Sequence, residues 1–406
     1  MILDLAWRNL WRRPRRTWLS VAGLAFATGF LIFMPSLQNG VYRAMINNTL
    51  HLFDGYAEIE QPGYRDEPEI RKTLSDVGQL LESVRAVAGD NAVSARASAY
   101  VLLSSDGRSF GAEVIGVQPS TEARVSTVAK NVKQGRFLTD DDDAAIVLGA
   151  TLARNLHVGL GDRVTLLGTD KDGSLAADAL QVAGLFETGI ADMDRLTAEI
   201  PLPRFQSTFA MPDEAHTIVV TSADLETFGP LLSRIRAVAS PRGLEVLDWQ
   251  ALQPGMWQAI LLDASTASLI YLATVIVITF SLLNSLLMSV LERTKELGML
   301  MALGMRPGQI GRMVFVETVL LLVIGLGIGL LLGTALTIHY GRTGIVFGQA
   351  QQIFAQFGLS GALHPKLSAL TLLAGPAVIS LGTLVAGFFP FWRVYRLQPI
   401  PAMKAA

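Results

Sequence analysis

Four stretches of the chain, 17–42, 264–291, 313–340 and 367–392, run for 26 to 28 residues with Glu317 as their one charged interruption. A helix of about 20 apolar residues crosses a hydrocarbon core of ~30 Å, so each stretch predicts a transmembrane helix. The first is longer than the apolar segment of a cleaved signal peptide, and Met34-Pro35-Ser36-Leu37 is no small-x-small cleavage site, so it reads as a retained anchor. Residues 1–16 predict an interfacial helix, with Ile2, Leu3, Ala6, Trp7, Leu10 and Trp11 on one side and Asp4, Arg8, Arg12 and Arg15 on the other. Pro14 ends or bends it.

Residues 43–263 switch between strand and helix periods. Strands are predicted at 56–60, 99–103, 112–117, 145–148, 163–167, 180–186, 217–221 and 244–247. Helices are predicted at 69–87, 150–156, 225–239 and 249–260. The last of these continues into the second span, and the first span continues through Val41–Phe53, so the two spans form a stalk. The fold class is therefore membrane α-helical, with four transmembrane helices and a large α+β extracytoplasmic domain inserted between helices 1 and 2.

Composition agrees: of 406 residues 50% are hydrophobic and 17% charged, against about 25% charged for soluble domains. A net charge of −2 excludes an ordinary nucleic-acid binder, and zero cysteines exclude disulfides and thiolate chemistry. That near-neutral value hides an asymmetry. The segment 1–16, the loop 292–312 and the tail 393–406 together hold 12 Lys/Arg against three acids, whereas 43–263 holds 19 against 31. Basic flanks mark the cytoplasmic side, so both termini and 292–312 are expected in the cytoplasm, and 43–263 and the short loop 341–366 outside, in what the resemblance named below makes the periplasm. The acidic domain surface reads as solubilising.

Catalytic signatures are absent. No GxxxxGK[ST] phosphate loop, HExxH or GxSxG occurs, and the five histidines are scattered. Asp140–Asp143 and Asp170-Lys171-Asp172-Gly173 read as solvated turns rather than calcium loops. The chain is expected to be no enzyme and to hold no cofactor or metal. Glu317, alone and near the end of its span, reads as paired or solvated rather than as part of an ion path. Gly325, Gly329 and Gly333 fall at i, i+4, i+8, and Ser281, Ser285 and Ser289 share that spacing. Both stripes suit close helix packing, within the chain or, the sharper reading for only four spans, between two chains of a homodimer or heterodimer.

The loop after the second span reads Glu292-Arg-Thr-Lys-Glu-Leu-Gly-Met-Leu-Met-Ala-Leu-Gly-Met-Arg-Pro307. Helical spacing places Leu297, Met301 and Gly304 on one face, apolar and small enough to enter a partner's groove. Here the sequence resembles the FtsX/MacB/LolC–LolE permeases of mechanotransmitting ABC transporters, whose Arg-x-x-Glu-x-Gly-x-x-x-Ala-x-Gly signature is met by Arg293, Glu296, Gly298, Ala302 and Gly304. Weaker echoes are Gly135-Arg136-Phe137, Ile146–Ala153, Gly161-Asp162, Val182–Phe186 and the basic tail Arg393–Pro401.

The resemblance implies a coupling helix, with Arg293, Glu296, Leu297, Gly298, Ala302, Leu303 and Gly304 docking on a separate cytoplasmic ATPase subunit that carries the ATP and Mg. It implies a second permease subunit, identical or different, and a periplasmic carrier or adaptor. It also implies a porter-like part at 50–118 and 215–255 with an inserted part at 119–214. The LolC–LolE branch matches best in architecture. The MacB branch begins with a fused ATPase, and the FtsX branch has a much smaller ectodomain. The N-terminal Trp7-Arg-Asn-Leu-Trp-Arg-Arg13 differs from the LolC–LolE motif. By analogy with lipoprotein extractors, Phe30, Phe33, Met34, Leu269, Leu272 and Ile276 line an acyl-chain cavity that meets membrane lipid. Export with an adaptor and regulation of a cell-wall hydrolase are the alternative functions.

Overall fold

The computed structural model describes residues 2–346 and 362–396, so most of the 341–366 loop and the tail motif beyond Arg396 lie outside the described residues. The chain divides into two compact units, Met1–Met45 with Gln258–Ala406, and Ile46–Trp257.

The first unit is a helix bundle. The amphipathic helix Ile2–Leu10 stops short of Pro14, which opens the next helix. Proline suits that first-turn position because its missing N–H has no partner there anyway. Among the described residues four helices are long and apolar enough to cross a membrane: Pro14–Asp54, Pro254–Glu292, Pro307–Thr343 and Ala369–Tyr395, called spans 1 to 4. Span 1 ends in a π turn at Leu50–Asp54, and span 2 begins at Pro254, with a separate short helix at Trp249–Leu252 before it. The expected 249–260 helix is thus broken ahead of Pro254, which cannot continue a preceding helix. All four spans contribute to one core, with Leu24, Ala27 and Leu31 meeting Val275, Leu282, Leu322 and Ile379.

Small residues set the close approaches in this unit. A side chain at Gly375 would strike Leu31, one at Gly387 would strike Thr318, and one at Gly382 would strike Thr279. Span 4 therefore lies against spans 1, 3 and 2 in turn. Near the other end of the pair, Gln38 and Tyr42 of span 1 both donate to Asp263 of span 2, at 2.9 and 2.5 Å.

The second unit is built on ten strands. These are β1 Ala57–Glu60, β2 Val93–Ser105, β3 Arg108–Val117, β4 Val132–Gly135, β5 Ala145–Gly149, β6 Arg163–Thr169, β7 Leu175–Phe186, β8 Thr197–Pro201, β9 Thr217–Val220 and β10 Glu245–Asp248. The sheet order is β10-β1-β9-β2-β3-β8-β5-β7-β4, with β6 joined to β2 and β7. The strands of 50–118 and 215–255 are contiguous, and the parallel β3–β8 ladder joins them directly to those of 119–214.

One face of β1, β9 and β2 presents Ala57, Ile59, Ile218, Val220, Ala95 and Ala97, all fully buried. The helices Val77–Ala88 and Leu225–Ala239 pack on each other and alongside β2 and β10. The first of these helices was expected to begin at residue 69. It begins at Val77, because Leu74 instead exchanges backbone hydrogen bonds with Ala215, and Asp76 adopts a left-handed φ of +51°. Strands β4 and β8 had no expectation. β4 is exposed and polar, and β8 contains a buried glutamate, so neither shows apolar alternation. The two acidic runs are turns. Asp142 takes Arg136 at 2.6 Å, and Asp170 accepts the backbone N–H groups of Asp172 and Ser174.

Candidate functional site: the connector helix and its surroundings

Residues Thr294–Ala302 form a short helix between spans 2 and 3. Its end is a Schellman motif. The N–H of Met305 bonds to the carbonyl of Leu300 at 3.1 Å, and that of Gly304 to the carbonyl of Met301 at 3.0 Å. Gly304 sits at φ +98°, a left-handed conformation that costs glycine least. The last glycine of the signature is thus a helix terminator.

The helix is two-sided. Leu297, Gly298 and Met301 are buried, and Leu297 and Met301 join Ala6, Val290, Ile310, Met313, Val314 and Val394 in a core cluster. This corrects the expectation that the Leu297/Met301 face is offered to a partner, because the chain's own N-terminal helix and spans 3 and 4 already cover it. The outward side carries Lys295, Met299, Ala302, Leu303 and Gly304, with Leu303 82% and Met299 56% exposed. Met299 went unnoticed in the sequence because nothing in the spacing separated it from its buried neighbours.

Glu292, Arg293 and Glu296 are paired within the chain, while Lys295 is exposed. The Arg293 guanidinium lies 3.2 Å from Glu317 of span 3 and 3.5 Å from Glu296. Asn9 donates to Glu317 at 3.0 Å. Glu296 pairs with Arg12 at 3.1 Å, and Glu292 with Arg16 at 3.2 Å and with Arg13. A cavity of about 280 Å³ lies among these groups. Arg293 and Glu296 therefore tie the N-terminal helix, the connector and span 3 into one body. Asn9, Arg12 and Arg16 were not singled out as site residues, since their partners are some 280 to 310 positions away.

The two small-residue stripes resolve differently. A Cβ on Gly325 would lie 2.5 Å from Leu24, on Gly329 2.5 Å from Thr28, and on Gly333 2.9 Å from the Cα of Gly29. The glycine stripe packs on span 1 of the same chain, the first of the two readings its spacing allowed. Ser285 bonds to Ser20 at 3.1 Å and Arg16 at 3.5 Å, Ser289 lines the cavity, and Ser281 faces outward. Of the expected acyl-chain residues, Phe30 packs on Tyr271 and Phe33 on Tyr340, with ring centroids 6.5 and 6.0 Å apart. Met34 is half-buried, and Leu269, Leu272 and Ile276 are 67%, 53% and 46% exposed along span 2. Phe30 therefore faces span 2, and Phe33 faces span 3. Span 2 is also the least covered helix, with 11% of its apolar window buried against 28% or more for the others.

Residues 17–238 match the family model of the MacB-like periplasmic core domain, and residues 268–399 that of the FtsX-like permease C-terminal domain. The chain belongs to the MacB/FtsX family of ABC transporter permeases. It is 25% identical over 405 residues to the lipoprotein-releasing system transmembrane protein LolC of Neisseria meningitidis, covering 96% of this chain and 94% of that one. It is 24% identical to LolE of Haemophilus influenzae over 95% of this chain and 93% of that one. The macrolide export ATP-binding/permease protein MacB of Nitrobacter winogradskyi is also 25% identical, and this chain covers 58% of its length. Among solved structures, the periplasmic region of MacB from Actinobacillus actinomycetemcomitans is similar at 16% identity and a TM-score of 0.38, over 52% of this chain and 95% of that one. As a permease of this family the chain is a multi-pass membrane protein, and family members work with a cytoplasmic ATPase.

Proposed function

We propose that this permease is the non-catalytic membrane subunit of an assembly that extracts a lipidated molecule, a lipoprotein in the first instance, from the outer leaflet of the bacterial inner membrane and passes it to a periplasmic carrier. The observation that carries this reading is the end-to-end correspondence with LolC, which spans nearly the whole of both chains. In this reading both termini and the connector helix are cytoplasmic. A separate ATPase, holding the ATP and Mg, docks on the outward side formed by Met299, Ala302, Leu303 and Gly304. Arg293 and Glu296 act behind that surface: their ion pairs make the connector, the N-terminal helix and span 3 move as one lever. The exposed row Leu269, Leu272 and Ile276 on span 2 faces a second permease subunit or lipid, and it borders the acyl chain only when two subunits come together.

The test is copurification with the partner ATPase, followed by mass spectrometry of retained species and ATPase assays. A retained lipidated species that raises turnover supports extraction. Retention of a peptide or drug with an adaptor, or stimulation by a cell-wall hydrolase alone, overturns it in favour of MacB-like export or FtsX-like regulation. Leu303→Asp is expected to lower ATPase association at least tenfold at a cost in thermal stability of no more than about 1 kcal/mol, because Leu303 is 82% exposed and an acid at this helix C-cap opposes only the helix dipole. Undiminished association in that variant would remove the connector from the docking surface.

A further inference from the structure

We propose that the inserted domain binds a small organic cation, an ammonium or guanidinium group, in a pocket on the polar face of its sheet. The strand register builds this face. Glu60 lies opposite Thr217, which lies opposite Arg96. Ser98 and Tyr100 follow at alternate positions on β2, and Tyr100 faces Glu113 on β3. Side chains at alternate positions and at directly paired positions share a face, so Glu58, Glu60, Arg96, Ser98 and Glu113 all point the same way. They line a cavity of about 440 Å³, closed on other sides by Phe53, Tyr64 and Arg65. That volume lies in the range of small-molecule sites.

The charge balance inside the cavity is negative. Two of the three Arg96 nitrogens are engaged by Glu122, through contacts of 2.6 and 3.1 Å, and the guanidinium stacks on Phe53 at 3.9 Å. Arg65 and Arg96 face Glu58, Glu60, Glu113 and the neighbouring Asp54, and the Arg65 guanidinium lies 3.5 Å from Glu58 and donates to the Leu252 carbonyl at 2.7 Å. Glu60 is 1% exposed, and one of its oxygens accepts the Arg65 backbone N–H at 3.1 Å. Its other oxygen is buried with no hydrogen-bond donor. A buried acceptor left without a partner carries its full desolvation cost, and a cationic donor entering the cavity removes it. Burial pushes the Glu58 carboxyl up to about 8, a shift that a cation beside it would oppose.

His216 adds no competing charge. Its Nδ1 accepts the Ser98 N–H at 2.9 Å and its Nε2 faces the Ile70 carbonyl at 3.2 Å, which is the neutral tautomer. It stacks flat on Tyr64, with centroids 5.0 Å apart, giving an aromatic wall suited to a cation. Among the described residues no three metal-ligating side chains converge, so the geometry favours an organic cation over a metal ion. One guanidinium nitrogen of Arg96 is also without a partner, and it suits a neutral oxygen on the same ligand, such as the carbonyl of an arginyl peptide.

The test is calorimetry on the full chain in nanodiscs at pH 7.5, with agmatine, spermidine and the peptide Ala-Arg-Ala-amide as separate probes. Saturable binding of at least one is expected. Preference for the peptide identifies a basic side chain as the source, and preference for agmatine or spermidine identifies a free amine. Glu60→Gln should weaken binding at least tenfold. Arg65→Ala, which removes an internal counter-charge from a half-exposed position, should strengthen it severalfold. No saturable binding by any probe, or affinities within twofold of the native chain in both variants, overturns the proposal. If Glu60→Gln fails to fold by circular dichroism, Arg65→Ala decides alone: tighter binding supports the pocket, and unchanged or weaker binding refutes it.

Discussion

In the helix bundle Glu317 is buried with Arg293 at 3.2 Å and Asn9 at 3.0 Å. In the inserted domain Glu199 is completely buried, with neither carboxylate oxygen hydrogen-bonded, and Glu60 keeps one oxygen without a donor. Both regions bury acids, and they settle the charge differently. A carboxylate in a membrane-facing helix has little water to fall back on, so a partner must be built in. In the bundle that partner comes from a neighbouring helix, and satisfying it locks three elements together. The inserted domain pairs Glu122 with Arg96 but leaves Glu199 and one oxygen of Glu60 to be neutralised by protons or by something that enters. One cluster is a joint and the other is a receptive surface.

The largest effect should come from breaking the joint. Arg293→Ala strands Glu317, and losing one partner of a buried pair costs about 3–5 kcal/mol. The purified protein should melt well below the native chain, and Glu317→Gln added to Arg293→Ala should recover most of the loss. A single variant that melts normally would show the two clusters to be alike.

A smaller effect should come from titrating the sheet. Burial, with the charge of Glu122 beside it, pushes Glu199 up to about 8, and burial pushes Glu58 to about 8, both from an ordinary 4.5. For a carboxyl raised on folding, the stabilising contribution is complete below pH 4.5 and is lost as pH rises through 8. Burial depresses His216 to about 4, so its contribution is present above 6.5 and is lost as pH falls through 4. Between pH 6.5 and 8.5 the carboxyls act alone. Stability should fall by roughly 1–2 kcal/mol per carboxyl across this window, lowering the melting temperature by several degrees. Glu199→Gln should flatten the profile, and an unchanged slope in that variant would mean the carboxyl is ionised and paired.

The smallest effect separates joint from rim. Arg12 and Glu296 form an ion pair that is 62% and 46% exposed. Exposed pairs contribute about 0–1 kcal/mol. Arg12→Ala should therefore leave the melting temperature within experimental scatter, and a loss approaching that of Arg293→Ala would extend the joint to the surface.

Much of this architecture is legible in the sequence, and the reasons differ by element. The four spans announce themselves because uncharged runs of that length have few other uses. The break at Pro14 and the terminator at Gly304 follow from residue-specific backbone preferences. The inserted domain's strands are legible where one face is apolar and the other wet. They are misread where both faces are buried, as at β8 with its internal Glu199, or where pairing overrides a helical pattern, as at Leu74. The polar face of β1, β2 and β3 reads in one dimension as an ordinary solvated side, since Glu58 and Glu60 alternate with apolar neighbours.

The sequence by itself determined that this chain has four membrane helices around a large insert, because chain length, hydropathy and charge are properties of segments. Its connector signature likewise pointed to the permease family. Only the tertiary structure decided who meets whom. It gave the glycine stripe to span 1. It turned Leu297 and Met301 inward and Met299 and Leu303 outward, and it drew Asn9, Arg293 and Glu317 together from distant positions. Periodicity states that a helix has a small or polar face and is silent on its neighbour, since contact energy depends on positions far apart in the chain.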